Sequence, residues 1–180
     1  VSSNTALTSL ICYNNDLTNL DVSSNTFLQT LRCNENSITS LDISTNTNLK
    51  HLSCFLNELT DLDVSTNTLL ETFSCSNNQI TSLDVSNNPA LTLLNCRNNN
   101  LTVLNIANGN NANLITMQAT YNPNLDCIAQ DPGFDPSVMQ WWLKTFNTGW
   151  CNSTSLAPTK IAIKSKLNDE IRIFPNPSHT

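Results

Sequence analysis

Apolar and polar residues alternate along most of the chain in a pattern that returns every 21 residues. Residues 28–46, which read LQTLRCNENSITSLDISTN, show the pattern in full, and the cysteine within it recurs at the same step. The cysteines of this series are Cys12, Cys33, Cys54, Cys75 and Cys96. A fixed period of this length predicts a solenoid, in which each unit buries its leucines only by stacking on the next unit.

Each unit contains two short stretches with the in-and-out alternation of a β-strand. Leu10 and Cys12 mark the inward positions of the first stretch, whereas Leu20 and Val22 mark those of the second, with Asp21 facing solvent. The pattern therefore predicts a thin, mainly β solenoid. Short strands of neighbouring units pair in parallel, and a second extended segment lies on the opposite side of the coil.

The repeat, written L-x-x-L-x-C-x-x-N-x-L, resembles the leucine-rich repeat, whose general form is L-x-x-L-x-L-x-x-N/C-x-L. Seven positions are kept in five consecutive units, and the match covers residues 1–128. In the second unit these positions are Leu28, Leu31, Cys33, Asn36, Ile38, Leu41 and Ile43. The resemblance implies a right-handed coil that binds ligands on its concave strand face, through residues that vary between units.

The variable positions supply the candidate ligand-binding residues. His51, Phe55 and Leu56 lie in one unit, flanked by Arg32 and Arg97, and aromatic and arginine side chains are favoured at binding hot spots. The candidate set is Tyr13, Arg32, His51, Phe55, Leu56, Glu71, Arg97 and Tyr121. Further variable positions are Ile11 and Glu35. The alternative is that side chains past the strand only pack against neighbouring coils.

Two columns of framework residues have structural interpretations. The asparagine column is Asn15, Asn36, Asn57, Asn78 and Asn99. An amide can both donate and accept hydrogen bonds, so it can satisfy the inward-pointing backbone groups of the turn after each strand. The five cysteines of the repeat are predicted to be small buried residues. They lack the close spacing of zinc ligands, and side chains that point the same way along parallel strands do not form disulfides.

Two polar columns on the other half of the repeat leave alternatives open. The acidic column is Asp21, Asp42, Asp63 and Asp84. Its carboxylates could bind calcium, but one carboxylate per coil favours hydrogen bonds to the nearby turn N–H groups. The threonine columns are Thr18, Thr39, Thr60, Thr81 and Thr102, and Thr5, Thr26, Thr47 and Thr68. Such regular arrays are reminiscent of ice-binding proteins, a less favoured interpretation.

The repeat ends in a degraded sixth unit, and an aromatic segment follows. We predict that residues 123–151 form a C-terminal cap that covers the last leucines. Asp135 followed by proline is typical of a helix start, and the spacing of Val138, Trp141, Trp142 and Phe146 predicts a short helix. The alternative use of these aromatic side chains is a glycan-binding platform.

Residues 152–165 have the composition of a linker. Residues 166–180 contain IRIFPNP, which resembles the first strand of the C-terminal sorting domain of type IX secretion cargo. The resemblance implies export through the type IX machinery and release or anchoring at the cell surface. Because Val1 aligns with Val22 one period later, we expect the chain to start inside a repeat, as an N-terminally truncated solenoid.

Cys127 and Cys151 lie outside the repeat period and bracket the aromatic segment. In an exported protein such a pair is most simply a disulfide.

Charge and composition limit the remaining functions. The net charge of −6 and a pI of about 4.6 disfavour a nucleic-acid binder, and no apolar run is long enough to span a membrane. No nucleophile lies in a motif with a base, so we predict a non-enzymatic protein without cofactors. The sequence thus favours an extracellular scaffold for protein binding or adhesion, with a glycan-binding adhesin as the alternative and an ice-binding or calcium-binding solenoid less favoured.

Overall fold

The computed structural model describes residues 1–145, 148–152 and 171–174. The chain winds into a β-solenoid whose coils each place a short strand in one sheet. The strands are β1 (Ser9–Ile11), β2 (Thr30–Arg32), β3 (His51–Ser53), β4 (Thr72–Ser74), β5 (Ser82–Asp84), β6 (Leu93–Asn95), β7 (Val103–Asn105), β8 (Thr116–Ala119), β9 (Cys127–Gln130), β10 (Trp141–Thr145), β11 (Gly149–Asn152) and β12 (Ile171–Phe174). Short 3-10 helices cover Asn111–Asn113 and Pro136–Val138.

Two sheets form the walls of the coil. The front sheet has the order β1-β2-β3-β4-β6-β8-β10-β12, parallel up to β10, and β12 pairs antiparallel with β10. The back sheet has the order β11-β9-β7-β5, also parallel. The second extended segment predicted for each unit is therefore a regular strand from the fourth coil onward. In the first three coils the same segment adopts no regular strand.

The core lies between the sheets and consists of equivalent positions stacked along the coil. Leu31 pairs in register with Leu52, and Leu52 with Phe73, and all three side chains are buried. Full burial of one such side chain stabilises a protein by about 1.5–3 kcal/mol relative to exposure. Since each layer is covered by the layers before and after it, the repeat itself supplies the stability of the fold.

The asparagine column satisfies the turn after each front strand, as predicted. The Oδ1 atom of Asn57 accepts a hydrogen bond from the Ile38 amide of the preceding coil at 3.0 Å. Its Nδ2 atom donates to the carbonyl oxygens of Cys33 and Cys54, each at 3.0 Å. The same bonds recur at Asn78 and Asn99. One amide per coil therefore joins two coils through buried backbone groups.

A second asparagine column, which was not predicted, closes the opposite turn. Its members are Asn25, Asn46, Asn67 and Asn88, all fully buried. The Nδ2 atom of Asn67 donates to the Ile43 and Asn46 carbonyl oxygens of the preceding coil at 3.1 and 2.9 Å. The 21-residue spacing of these four asparagines was the sequence signal from which this role could have been predicted.

The aromatic segment corrects one prediction. Asp135 caps a short helix, where its side chain accepts a hydrogen bond from the Ser137 amide at 2.9 Å, but this helix ends at Val138. Residues Trp141–Thr145 form β10 and not a helical stripe. Strand pairing with β8 supplies backbone partners along the exposed edge of the sheet, which a helix would have left unpaired. Phe146 lies outside the described residues.

The final coil buries Trp142 and exposes Trp141. The Trp142 indole Nε1–H donates to the Leu114 carbonyl oxygen at 2.6 Å. Its ring lies 5.3 Å from that of Phe134 and 5.6 Å from that of Trp150, measured between centroids. The Lys144 ammonium is also buried and donates to the Thr148 carbonyl oxygen. The aromatic segment thus covers the last apolar layer, by forming one more coil.

Cys127 and Cys151 form a disulfide, as predicted, and their Cα atoms are 5.7 Å apart. The bond joins the neighbouring strands β9 and β11 of the back sheet. The predicted linker lies outside the described residues except for Asn152, and so does the predicted sorting segment except for Ile171–Phe174. Within the described part of the chain, no helix has the length and apolar character needed to cross a membrane.

Candidate functional site

Two columns of outward-facing residues follow the front sheet, because residues on either side of each inward leucine point to solvent. The first column is Ser9, Thr30, His51, Thr72, Leu93, Thr116 and Trp141. The second is Ile11, Arg32, Ser53, Ser74, Asn95, Gln118 and Leu143. We call this surface the front face. Its backbone is fixed by strand pairing, so its shape depends on side-chain size.

A cavity of about 700 Å³ opens on the front face around the third coil. Ser53 and Ser74 are short and adjacent in the second column, where Arg32 precedes them. Larger lining residues, among them His51 and Phe55, surround these two serines. The volume falls within the range of about 300–1,000 Å³ that small ligand sites occupy. The front face therefore offers a pre-formed depression of the size of a small-ligand site.

Hydrogen bonds fix several of the side chains that line the cavity. The Ser53 hydroxyl donates to the Asn34 Oδ1 atom at 3.1 Å, and the Asn34 amide donates to the Glu35 carboxylate at 3.1 Å. His51 Nδ1 lies 3.0 Å from the Thr72 hydroxyl oxygen. These bonds hold Glu35 at the rim and the His51 ring along the wall, so the site is organised without a ligand.

The structure brings half of the candidate set into this cavity. Tyr13, Arg32, His51 and Phe55 all line it. The other candidates lie outside. Leu56 is exposed beside it, Glu71 pairs with Lys50 at 3.4 Å, and the Arg97 guanidinium stacks over the Tyr121 ring at 4.6 Å.

Several lining residues were missed by sequence reasoning. They are Asn34, Ser53, Thr72, Ser74 and Leu93, and Glu35 was noted only as a variable position. The candidates were selected for large side chains, and this criterion excludes the serines, whose small size helps to form the depression. A run of short residues beside large ones at one repeat position was the signal that could have found them.

A column of left-handed residues follows the rim of the front face. Their φ angles lie between 52° and 59°, and the residues are Asn14, Glu35, Leu56, Asn77, Asn98 and Tyr121. Asparagine tolerates this backbone conformation, whereas other side chains with a Cβ are strained there by about 1–2 kcal/mol. Strain of this kind is often kept at functional sites. Glu35 and Leu56 carry it next to the cavity.

Replacing Leu56 with asparagine should stabilise the protein by about 1 kcal/mol, since it relieves left-handed strain at an exposed position. The control is the reverse substitution, Asn14→Leu, which introduces leucine at the equivalent exposed position of the first coil. It should destabilise the protein by a similar amount. Urea unfolding of both variants measures the effect. A destabilised Leu56→Asn protein would show that the Leu56 side chain contributes packing that outweighs the strain.

The repeat cysteines are free thiols, and all but Cys12 are buried, as predicted. Burial raises the pKa of Cys33 and Cys96 to about 12 and raises the pKa of Cys54 and Cys75 well above the usual range. A thiol that stays protonated and buried is a poor nucleophile and a poor metal ligand. The column is therefore a packing element of the core.

The number of thiols modified by alkylation should show which cysteines are free and accessible. Treated in its native state with iodoacetamide and no reductant, the protein should be modified at no position other than Cys12, which is the partly exposed thiol of the column. In denaturant five thiols should react, and after reduction seven, because Cys127 and Cys151 are then released. Intact mass measures each state. Seven modified thiols in denaturant without reductant would contradict the disulfide.

The acidic column forms local turns, as the favoured interpretation predicted. In Asp21, Asp42, Asp63 and Asp84 one carboxylate oxygen accepts a hydrogen bond from the serine amide two residues later, at 2.8–2.9 Å. Hydrogen bonds from Ser23 and Ser44 lower the pKa of Asp21 and Asp42. Within residues 1–145, 148–152 and 171–174, no three His, Cys, Asp or Glu side chains are grouped so that they could hold a metal ion.

Comparison with known proteins supports the fold. No family model and no curated protein matches the sequence. Among solved structures, the chain is similar to the functional domain of InlJ from Listeria monocytogenes, with a TM-score of 0.67 and 34% sequence identity. The likeness covers 83% of this chain but only 37% of that chain.

That domain is described as including a cysteine ladder, and the buried thiols Cys33 to Cys96 form such a column here. The fold class predicted from the repeat, a leucine-rich-repeat solenoid with a disulfide-closed C-terminal end, is confirmed by the structure and by this likeness.

Proposed function

We propose that this protein is a non-enzymatic extracellular scaffold that binds a protein ligand through its front face. The observation that carries the proposal is the cavity where Tyr13, Arg32, His51 and Phe55 converge on an otherwise regular coil. The framework residues account for stacking, and these four side chains lie at positions outside that framework. Aromatic and arginine side chains around a pre-formed depression are typical of binding hot spots.

Selection from a library of random displayed peptides tests this function. Peptides enriched on the protein should lose binding to the Tyr13→Ala and Phe55→Ala variants. They should still bind Phe27→Ala, which removes an exposed aromatic side chain that does not line the cavity. Enriched peptides that bind all three variants equally would place binding elsewhere and overturn the proposal.

A glycan-binding adhesin is the second candidate, favoured by one observation. Trp141 is 62% exposed and lies in the same outward column as His51. Trp142 cannot contribute to such a platform, because its ring is buried. A glycan array probed with wild type and Trp141→Ala distinguishes the candidates, since binding lost only in that variant would favour the adhesin.

The C-terminal sequence supports a proposed route to the cell surface. IRIFPNP resembles the start of a type IX sorting domain, and its first four residues form β12. In a bacterium that has this secretion system, replacing Pro175 and Pro177 with alanine in the full gene product should leave the protein in the periplasm. Unchanged surface exposure of that variant would contradict the proposed route.

A further inference from the structure

The cavity contains hydrogen-bond donors that the rest of the protein does not use. The Arg32 guanidinium is exposed at the wall and, within the described residues, forms no ion pair or side-chain hydrogen bond. The Ser74 hydroxyl and His51 Nε2 also have no partner in that part of the chain. When the Thr72 hydroxyl donates to His51 Nδ1, the ring proton is on Nε2, which is then a free donor. Arginine, histidine and hydroxyl donors together suit an anionic oxygen group.

Glu35 limits where such an anion can lie. Its carboxylate is held at the rim by the Asn34 amide at 3.1 Å and forms no ion pair with the Arg32 guanidinium. A bound anion is repelled from Glu35 and drawn toward Arg32 and His51. A ligand that fills the whole cavity must then present a donor to Glu35 and an acceptor to Arg32. A peptide does both, through its backbone N–H groups and an acidic side chain.

Apolar side chains complete the cavity. Tyr13 and Leu93 are lining residues with 49% and 37% of their surfaces exposed, and Phe55 lines the cavity beside them. Exposed apolar groups around a charged centre favour a ligand whose carboxylate is flanked by apolar residues.

We propose that the cavity binds the carboxylate of an acidic residue within an extended, otherwise apolar peptide segment of the protein ligand. Arg32 pairs with the carboxylate, His51 and Ser74 donate to it, and Tyr13, Phe55 and Leu93 contact the flanking side chains. The inference rests on the proposed function and names the chemistry that the front face selects.

Three capped tripeptides, Leu-Glu-Phe, Leu-Gln-Phe and Leu-Lys-Phe, test the inference by titration of the ¹⁵N-labelled protein. The glutamate peptide should shift the amide signals of Ser53 and Ser74 and bind at least about tenfold more tightly than the other two, since a charge-assisted bond to arginine is lost in both. Its affinity should fall as salt rises.

The variant Arg32→Gln should remove the preference for glutamate over glutamine. The matched control is Lys50→Gln, which removes a cation paired with Glu71 outside the cavity and should leave the preference unchanged. Equal binding of the glutamate and glutamine peptides would overturn the carboxylate inference. If that equal binding still required Phe55, the proposed function would stand.

Further outcomes separate the two proposals. Signal shifts caused by glucuronate but by none of the peptides would overturn the peptide inference in favour of an acidic sugar. If no tripeptide shifts the cavity signals, the inference fails. If the displayed library also yields no binder sensitive to Phe55→Ala, the proposed function fails with it.

Discussion

Replacing Asn57 with alanine should lower the free energy of unfolding by about 3 kcal/mol, because a buried backbone group left without a partner costs about 1–3 kcal/mol. The Ile38 amide loses its acceptor entirely. The Cys33 and Cys54 carbonyl oxygens each lose one donor but keep another, from Asn36 and Asn78. The unpaired amide therefore accounts for the largest share, and the two weakened carbonyl groups for the rest.

Asn15 provides the matched control, since it holds the same repeat position in the first coil. It is exposed and donates to the Cys12 and Tyr13 carbonyl oxygens, but its Oδ1 atom accepts no hydrogen bond from the described part of the chain. Asn15→Ala should cost less than about 1 kcal/mol, as is usual for exposed positions. Guanidinium unfolding measures both variants, and equal losses would contradict the proposed link between coils.

The repeated part of the fold could be predicted because each unit has the same pattern of apolar positions. Leu31, Leu52 and Phe73 recur at one position, and stacking is the arrangement that buries them all. The cysteine column and the asparagine column that contains Asn57 followed from the same period, whereas the second asparagine column was not predicted. The local pattern therefore also predicts the long-range contacts, since each residue packs against its equivalent in the next unit.

The final coil could not be predicted in the same way, because its pattern appears only once. Val138, Trp141 and Trp142 fit a helical spacing, yet adjacent Trp141 and Trp142 also fit a strand with one residue out and one in. The open edge of β8 decides between them, and that edge is formed by residues 116–119, more than 20 positions earlier. Backbone pairing between β10 and β8 therefore outweighed the helical spacing of the aromatic residues.

The candidate site was predicted in part for a related reason. Tyr13, Arg32, His51 and Phe55 were recognisable as variable, large side chains on a regular framework. The cavity itself depends on Ser53 and Ser74 lying side by side in register, which involves two coils at once. The short serine side chains leave space between their larger neighbours, and this space forms the cavity. The sequence of one unit alone does not show it.

Stability should fall steeply as pH rises above about 9, because the buried cysteine column resists ionisation. Burial holds the pKa of Cys33 and Cys96 at about 12 and raises that of Cys54 and Cys75 well above normal. In the unfolded chain these thiols ionise near their ordinary pKa of about 8.5. Between that value and the folded pKa the unfolded state binds fewer protons, so the free energy of unfolding decreases with pH. The loss is about 1.4 kcal/mol per thiol per pH unit, or about 5 kcal/mol per unit for four thiols.

Two variants separate this effect from the alkaline titration of other groups. Removing two of the four buried thiols, in Cys54→Ala/Cys75→Ala, should reduce the slope of stability against pH by about 3 kcal/mol per unit above pH 9. Cys12→Ala should leave most of the slope in place, since that thiol is only partly buried. Urea unfolding at intervals from pH 7 to pH 11 measures the slope, with every protein compared in a Cys127→Ala/Cys151→Ala background that leaves no disulfide for the unfolded thiolates to attack. Cavities left by the alanines lower stability at every pH and do not alter this slope. An unchanged slope in the double variant would therefore show that the column ionises within the folded protein and does not drive alkaline unfolding.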